Sequence, residues 1–325
     1  MERKNNTLSI LFAGSPSFTI PCLRLLANRF NLVGVLTAPS TRQGRKMELH
    51  NSEIFDACLE LMNEGELSKD FPIFTPKKLD DEVMSSIKKL RPDLLVCFAY
   101  GKIFTKQFMT LFKKGGINIH PSLLPKWRGP APLPFAIWNG EEETGISIQT
   151  IKETLDSGDI LLQEKLKIEE KDTTTSILEN KVSKQASAML EKLLNNFDEF
   201  LLNAMPQDEK EATYSRLLKK NDGIIDWTCS AEQIERQIRS FSTWPGTYTF
   251  CNGKKLNIIA SHVHNKKTQE KTIGKVLGKD NGILVCTGEG ILAIDELQWE
   301  TKKKLKWKDF LNGAPNFLTL TLKNN

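Results

Sequence analysis

Gly116-Ile117-Asn118-Ile119-His120-Pro121-Ser122-Leu123-Leu124-Pro125 reads as a short apolar strand that runs into a proline-bracketed loop. Side chains on a strand repeat every second residue, so Asn118 and His120 share one face. On an α/β scaffold the loop after a strand is the usual place for chemistry. Further along, Leu155-Asp156-Ser157-Gly158-Asp159 is an Asp-rich turn that supplies a carboxylate. An amide aimed at a carbonyl oxygen stabilises the negative charge of a tetrahedral intermediate. An imidazole nearby donates to the same oxygen or shuttles a proton, and a carboxylate from another loop orients the imidazole or relays the leaving-group proton. No GxSxG nucleophile elbow is present, so Asn118, His120 and Asp156 suit direct acyl transfer to an amine better than a covalent acyl-enzyme.

Outward from this stretch the pattern is that of an α/β domain. Leu8 to Ala13 is a continuous apolar run, as expected of a strand buried on both faces of a parallel sheet. Gly14-Ser15-Pro16-Ser17 breaks it, and Phe18 to Arg29 then has helical period. Asn31 to Ala38 and Asp93 to Phe98 read as further strands, with short strands at 72–74, 145–151 and 160–168. Helical patterns fall near 51–63, 80–90 and 131–139, and one long helix is expected over 176–202. Met205-Pro206-Gln207-Asp208-Glu209-Lys210-Glu211 has no apolar period and reads as a linker. After a helix at 230–241, short alternating strands near 247–251, 255–263, 273–278, 283–287 and 291–298 suggest a small β-barrel. The expected division is 1–204, a linker at 205–213, and 214–325.

Composition excludes several classes. The 325 residues carry 45 Lys+Arg against 40 Asp+Glu, and the whole excess of +5 lies beyond residue 205. A basic appendage on a neutral body fits a polyanionic partner, although a plain solvated lysine-rich surface has the same charge. The six cysteines lack CxxC spacing, which fits buried thiols in a reducing compartment rather than a disulfide framework or a zinc site. No apolar stretch is long enough to span a bilayer. Met1 to Asn6 resembles neither a signal peptide nor a transit peptide, so a cytoplasmic location is expected.

Residues 8–168 resemble the formyltransferases that use 10-formyltetrahydrofolate. The resemblance rests on Phe12 to Phe18, Ala99-Tyr100-Gly101, Ile117 to Pro125, Trp127-Arg128-Gly129, Thr144-Gly145 and Leu155 to Asp159. Beyond them, Ile225-Asp226-Trp227, Ile238 to Phe241 and Trp244-Pro245-Gly246 are similar to the methionyl-tRNA branch of that superfamily. The resemblance implies a Rossmann-like catalytic domain followed by an OB-like barrel that helps hold tRNA. It implies 10-formyltetrahydrofolate as formyl donor, initiator methionyl-tRNA as acceptor in translation initiation, a monomer, no metal and no membrane. It also implies Asn118, His120 and Asp156 as catalytic residues, with Tyr100, Gly101, Ser122, Leu123, Leu124 and Pro125 lining the folate pocket. Arg42, Arg45 and Lys46 would meet tRNA phosphates. There are three departures from the family pattern. Met47-Glu48 stands where a Lys-Lys pair is usual, Pro134-Phe135 where polar residues are common, and Thr154 where a glycine is usual. Sister enzymes acting on an amino-sugar nucleotide or glycinamide ribonucleotide, and hydrolases of the formyl-folate, share the 116–159 core. A non-catalytic RNA-binding protein on the same fold is the alternative from another class.

Other motifs carry less. Gly14-Ser15-Pro16 is no GxGxxG fingerprint. His262 and His264 share a strand face, but no neighbouring Cys or carboxylate in the sequence completes a metal set. Lys302-Lys303-Lys304, Lys306 and Lys308 are phosphate contacts or a solvated turn in equal measure. Trp227, Trp244, Trp299 and Trp307 are expected in a core or interface rather than as base-stacking platforms.

Overall fold

In a computed structural model, residues 8–43, 47–242 and 244–324 are described. Contacts divide the chain into two compact units. The first comprises Met1–Pro132, Thr144–Lys167 and Leu178–Ser215, and the second Leu133–Glu143, Ile168–Ile177 and Arg216–Asn325.

The first unit is built on β1 (Ser9–Gly14), β2 (Asn31–Leu36), β3 (Thr41–Gln43), β4 (Glu48–His50), β5 (Ile73–Phe74), β6 (Leu94–Phe98), β7 (Gly116–His120), β8 (Glu143–Thr150) and β9 (Ile160–Lys167). Seven of these form one sheet in the order β5-β2-β1-β6-β7-β8-β9. The pairs β1–β2, β1–β6, β2–β5 and β6–β7 are parallel, which explains the unbroken apolar runs: β1 and β6 are covered on both faces. β7 pairs β8 antiparallel, so the sheet is mixed rather than wholly parallel. The polar stretch after β2 carries a short β3–β4 hairpin.

Side-chain caps fix where the helices start. Ser52 accepts from the Phe55 amide, Asp80 from Val83 and Thr105 from Phe108. One face of the sheet buries Leu11, Leu36, Leu95 and Cys97 against Met84, Ile87, Phe108 and Phe112. Helix Ile20–Arg29 packs on helix Ser183–Asn195, burying Leu23, Leu26, Met189 and Leu190. The single helix expected over 176–202 is in fact broken. An α-turn and a wider turn precede Ser183–Asn195, and Asn196 leaves helical geometry before Phe197–Leu202. Asparagine competes for its own backbone through its side chain, which favours such a break.

The second unit centres on an antiparallel sheet of β10 (Thr247–Cys251), β11 (Lys254–Asn265), β12 (Val276–Lys279), β13 (Ile283–Cys286), β14 (Ile291–Trp299) and β15 (Leu305–Lys306). Its order is β10-β11-β14-β13-β12, with β15 beside β14. Helix Ala231–Ser240 opens with a Ser230/Gln233 capping box and sends Ile234 and Ile238 into the core. Trp227 is buried there and its indole N–H donates to Thr249 Oγ1 at 2.9 Å. Thr249→Val leaves that donor orphaned and is expected to cost about 1–3 kcal/mol, read as a lowered urea midpoint. Trp299 and Trp307 pack against the core, whereas Trp244 is exposed. His262 lies 3.0 Å from Asp295 across the β11–β14 pairing, a carboxylate partner that sequence spacing did not reveal.

Candidate active site

The first unit places Asn118, His120 and Asp156 together. β7 sits between β6 and β8, and its register sets Asn118 opposite Cys97 on one side and Gln149 on the other. His120 lies opposite Ser147. The Asp156 turn follows β8 and folds back over the end of β7. Asn118 Nδ2 donates to Asp156 Oδ1 at 3.2 Å, and His120 Nδ1 stands 3.6 Å from Asp156 Oδ2. The side chains of His120 and Asp156 are only 6% and 8% exposed, so their interaction is little screened by water.

The hydrogen bonds define roles atom by atom. His120 Nε2 lies 2.9 Å from the Trp127 carbonyl, which only accepts, so Nε2 carries a proton. Nδ1 is then the nitrogen turned to the carboxylate. Asp156 Oδ2 also accepts the Gly129 amide at 2.8 Å, and Oδ1 accepts Gln149 Nε2 at 3.0 Å. Asn118 uses one amide hydrogen on Asp156 and has a second to offer. Burial pushes the Cys97 thiol up to about 12, so the sulfur beside Asn118 stays protonated and is no nucleophile.

Gly158 makes the turn possible. A Cβ there would stand 1.6 Å from the Thr150 carbonyl oxygen, so no other residue fits the approach. Asp156 itself has φ of 53°, a left-handed conformation that aspartate tolerates better than most residues.

The six residues expected to line a folate pocket are placed differently from one another. Tyr100 is buried and stacks on Phe104, opening an aromatic ladder through Phe108 to Phe112. Its hydroxyl is buried without a hydrogen-bond partner. Gly101 is exposed with φ of 82°. Ser122 and Leu124 are buried, Ser122 Oγ donating to the Lys126 carbonyl and the Leu124 amide to Ser147 Oγ. Leu123 and Pro125 are half-buried. None of the six lines the cavity of about 510 Å³ beside the Asp156 turn, which is lined by the apolar Phe104, Met109 and Ile151 and by Lys106, Lys152, Glu153, Thr154 and Ser157. Arg42 is exposed and donates to the Met47 carbonyl, while Arg45 and Lys46 lie outside the described residues. Among the described residues, no group of three or more His, Cys, Asp or Glu is placed to hold a metal ion, and no helix is long and apolar enough to cross a membrane.

Sequence reasoning passed over Gln149, Gln207 and Arg128 as site residues. The signal for Gln149 was present: in Ile146-Ser147-Ile148-Gln149 the polar residues alternate with isoleucines on a strand with both faces covered. Arg128 stood in the Trp127-Arg128-Gly129 motif with no role attached, and Gln207 fell in the stretch that reads as a linker.

Residues 10–194 match the family model for formyl transferase and residues 217–315 that for the formyl transferase C-terminal domain, and the chain belongs to this family. The mixed sheet, with Asn118 and His120 on β7 meeting Asp156 from the turn after β8, lies within the region matched by the first of these models. A methionyl-tRNA formyltransferase of Treponema denticola is 49% identical over 317 residues, covering 96% of this chain and 98% of the relative. A second, from Borreliella afzelii, is 36% identical over 94% of this chain and 95% of its own. Among solved structures, HypX from Aquifex aeolicus in complex with tetrahydrofolic acid has a TM-score of 0.62 at 17% identity, covering 96% of this chain. The chain spans about half of that protein, 48% of its length. An N-formyltransferase from Helicobacter canadensis, in complex with folinic acid and dTDP-3-aminofucose, has a TM-score of 0.61 at 18% identity over 88% of this chain. These two likenesses speak for the fold.

Proposed function

We propose that the chain transfers the formyl group of 10-formyltetrahydrofolate to the α-amino group of initiator methionyl-tRNA, in translation initiation. The observation that carries the chemistry is the convergence of the Asn118 amide and the His120 imidazole on the Asp156 carboxylate. The acceptor is inferred from near full-length similarity to methionyl-tRNA formyltransferases.

The α-amino group titrates at about 7.7–8.0 in model compounds, so much of it is already a free nucleophile. It attacks the formyl carbon, and the second amide hydrogen of Asn118 meets the oxyanion that develops. As the new C–N bond forms, the amine proton is taken up by the His120–Asp156 pair. The bond from the formyl carbon to N10 then breaks, and the same proton passes to N10. His120 acts through Nδ1, because Nε2 is held by the Trp127 carbonyl. Positioning a macromolecular amine beside the donor supplies much of the acceleration.

The cavity beside the Asp156 turn, at about 510 Å³, falls in the size range of small-molecule sites and has apolar walls for a ring system. We place the folate donor there, with Tyr100, Gly101, Ser122, Leu123, Leu124 and Pro125 shaping the loops around it. Segment 214–325 is read as an OB-like tRNA-holding domain, and Arg42, Arg45 and Lys46 as phosphate contacts. The reading makes the protein a cytoplasmic monomer that needs no metal.

Single-turnover formylation of charged initiator methionyl-tRNA, with 10-formyltetrahydrofolate and an uncharged control, tests this directly. Product is expected on the charged tRNA alone. Hydrolysis of the donor without tRNA product, or formylation of an amino sugar instead, sinks the acceptor assignment.

A further inference from the structure

Residues 205–215 connect the end of helix Phe197–Leu202 to Arg216, yet they are pinned along the first unit. Met205 and Ile160 exchange backbone hydrogen bonds at 2.9 and 2.8 Å. The Arg128 amide donates to the Thr213 carbonyl at 2.9 Å, and the Ser215 amide to the Arg128 carbonyl at 2.7 Å. The Gln207 side chain points inward from this strap and is nearly buried.

Arg128 dictates the direction of the hydrogen bonds around Gln207. It is 1% exposed, and a guanidinium only donates. Its Nε therefore fixes Gln207 Oε1 as the acceptor, at 2.9 Å. Gln207 Nε2 must then face the other way, where it meets three acceptors: Gln149 Oε1 at 3.1 Å, the Asp156 carbonyl at 3.0 Å and the Gly158 carbonyl at 2.7 Å. Gln149 Oε1 is thereby turned to Gln207 and to the Gly158 amide at 3.1 Å, so Gln149 Nε2 has to point at Asp156 Oδ1. Donors run in one direction from a buried cation to the carboxylate, the arrangement in which successive hydrogen bonds polarise and strengthen one another. Behind it, Glu209 takes both Arg128 terminal nitrogens at 2.8 and 2.9 Å, and Tyr214 accepts a third bond at 3.2 Å.

We propose that Gln149 and Gln207 are positioning residues for the Asp156 carboxylate, and that the 205–215 strap fixes the turn on which Asp156 sits. The inference rests on the proposed role of Asp156. Lys152 to Leu155 are exposed, whereas Asp156 and Gly158 are both held by Gln207. With Oδ1 occupied by Asn118 and Gln149, and Oδ2 tied to the Gly129 amide, the carboxylate keeps Oδ2 towards His120.

Two variants and two readouts test this. Gln149→Glu is isosteric, but its new carboxyl donates to Asp156 only while protonated. The other titratable or charged groups around it are His120, Cys97 and the Arg128–Glu209 pair. Like charges in contact raise one pKa of a carboxyl pair. The active form holds one shared proton, so kcat is expected to acquire a descending alkaline limb absent from the wild type. Gln207→Met cuts the chain without opening a large cavity. It is expected to lower kcat about 10–100-fold, with donor KM within about twofold. Hydrogen exchange at the Gly158 amide reads the same tether without turnover, and Gln207→Met is expected to speed it about tenfold relative to wild type. Unchanged exchange there overturns the inference whatever the activity. So does a wild-type pH profile for folded Gln149→Glu. Wild-type protein that fails to formylate methionyl-tRNA overturns the proposed function instead, and leaves the exchange result to decide the tether.

Discussion

Asn118→Ala is expected to slow formyl transfer about 10²–10³-fold, the usual cost of removing one oxyanion donor. The loss should fall in kcat, because in the proposed mechanism the amide meets negative charge only as the tetrahedral intermediate forms. Stability should hardly change. Asn118 makes one hydrogen bond of 3.2 Å to Asp156 and is half-buried, which is worth about 0.5–1.5 kcal/mol. A large kcat effect with a small change in Tm thus separates a chemical role from a packing role. Near-normal turnover in a folded Asn118→Ala variant would show that the oxyanion is stabilised elsewhere. Asn118→Asp should be as damaging, since it sets a second carboxylate against Asp156 where the donor stood.

The second large effect is expected at Gly158, where no reacting atom is involved. Alanine there meets the Thr150 carbonyl oxygen at 1.6 Å and its carbon at 2.6 Å, both backbone atoms that move only if the turn parts from β8. Parting would break the Gly158 amide bond to Gln149 and loosen the Asp159–Thr150 pairing, at 3.1 and 2.9 Å respectively. Overpacking of this kind costs about 1–3 kcal/mol. Displacing the carboxylate by about 1 Å is expected to cost a further 100-fold in rate. Gly158→Ala should therefore lose both Tm and turnover, unlike Asn118→Ala, and differential scanning calorimetry beside single-turnover kinetics distinguishes the two. A variant with wild-type Tm would mean that the turn accommodates the methyl group by moving.

Much of the fold was legible because its causes are local. The unbroken apolar runs of β1 and β6 are set by a few consecutive residues each and need no distant partner to be read. The same locality explains what failed. A helix through 176–202 satisfies the 3.6-residue period, yet Asn196 interrupts it with backbone angles that periodicity does not register. β8 has the composition of a central strand, and composition does not say that it runs antiparallel to β7.

Sequence alone placed Asn118 and His120 on one strand face, since alternation along a single strand requires no knowledge of its neighbours. It also singled out Asp156, through the turn around it. Only the tertiary structure decided how these groups act on one another. The Asn118–Asp156 contact spans 38 residues, Gln149–Gln207 58 and Arg128–Gln207 79, so each depends on sheet order and strap path rather than on local pattern. The direction of the Arg128–Gln207–Gln149–Asp156 chain was decided there too. An amide has no preferred end until a group that only donates is placed against it, and that placement is a property of the folded chain.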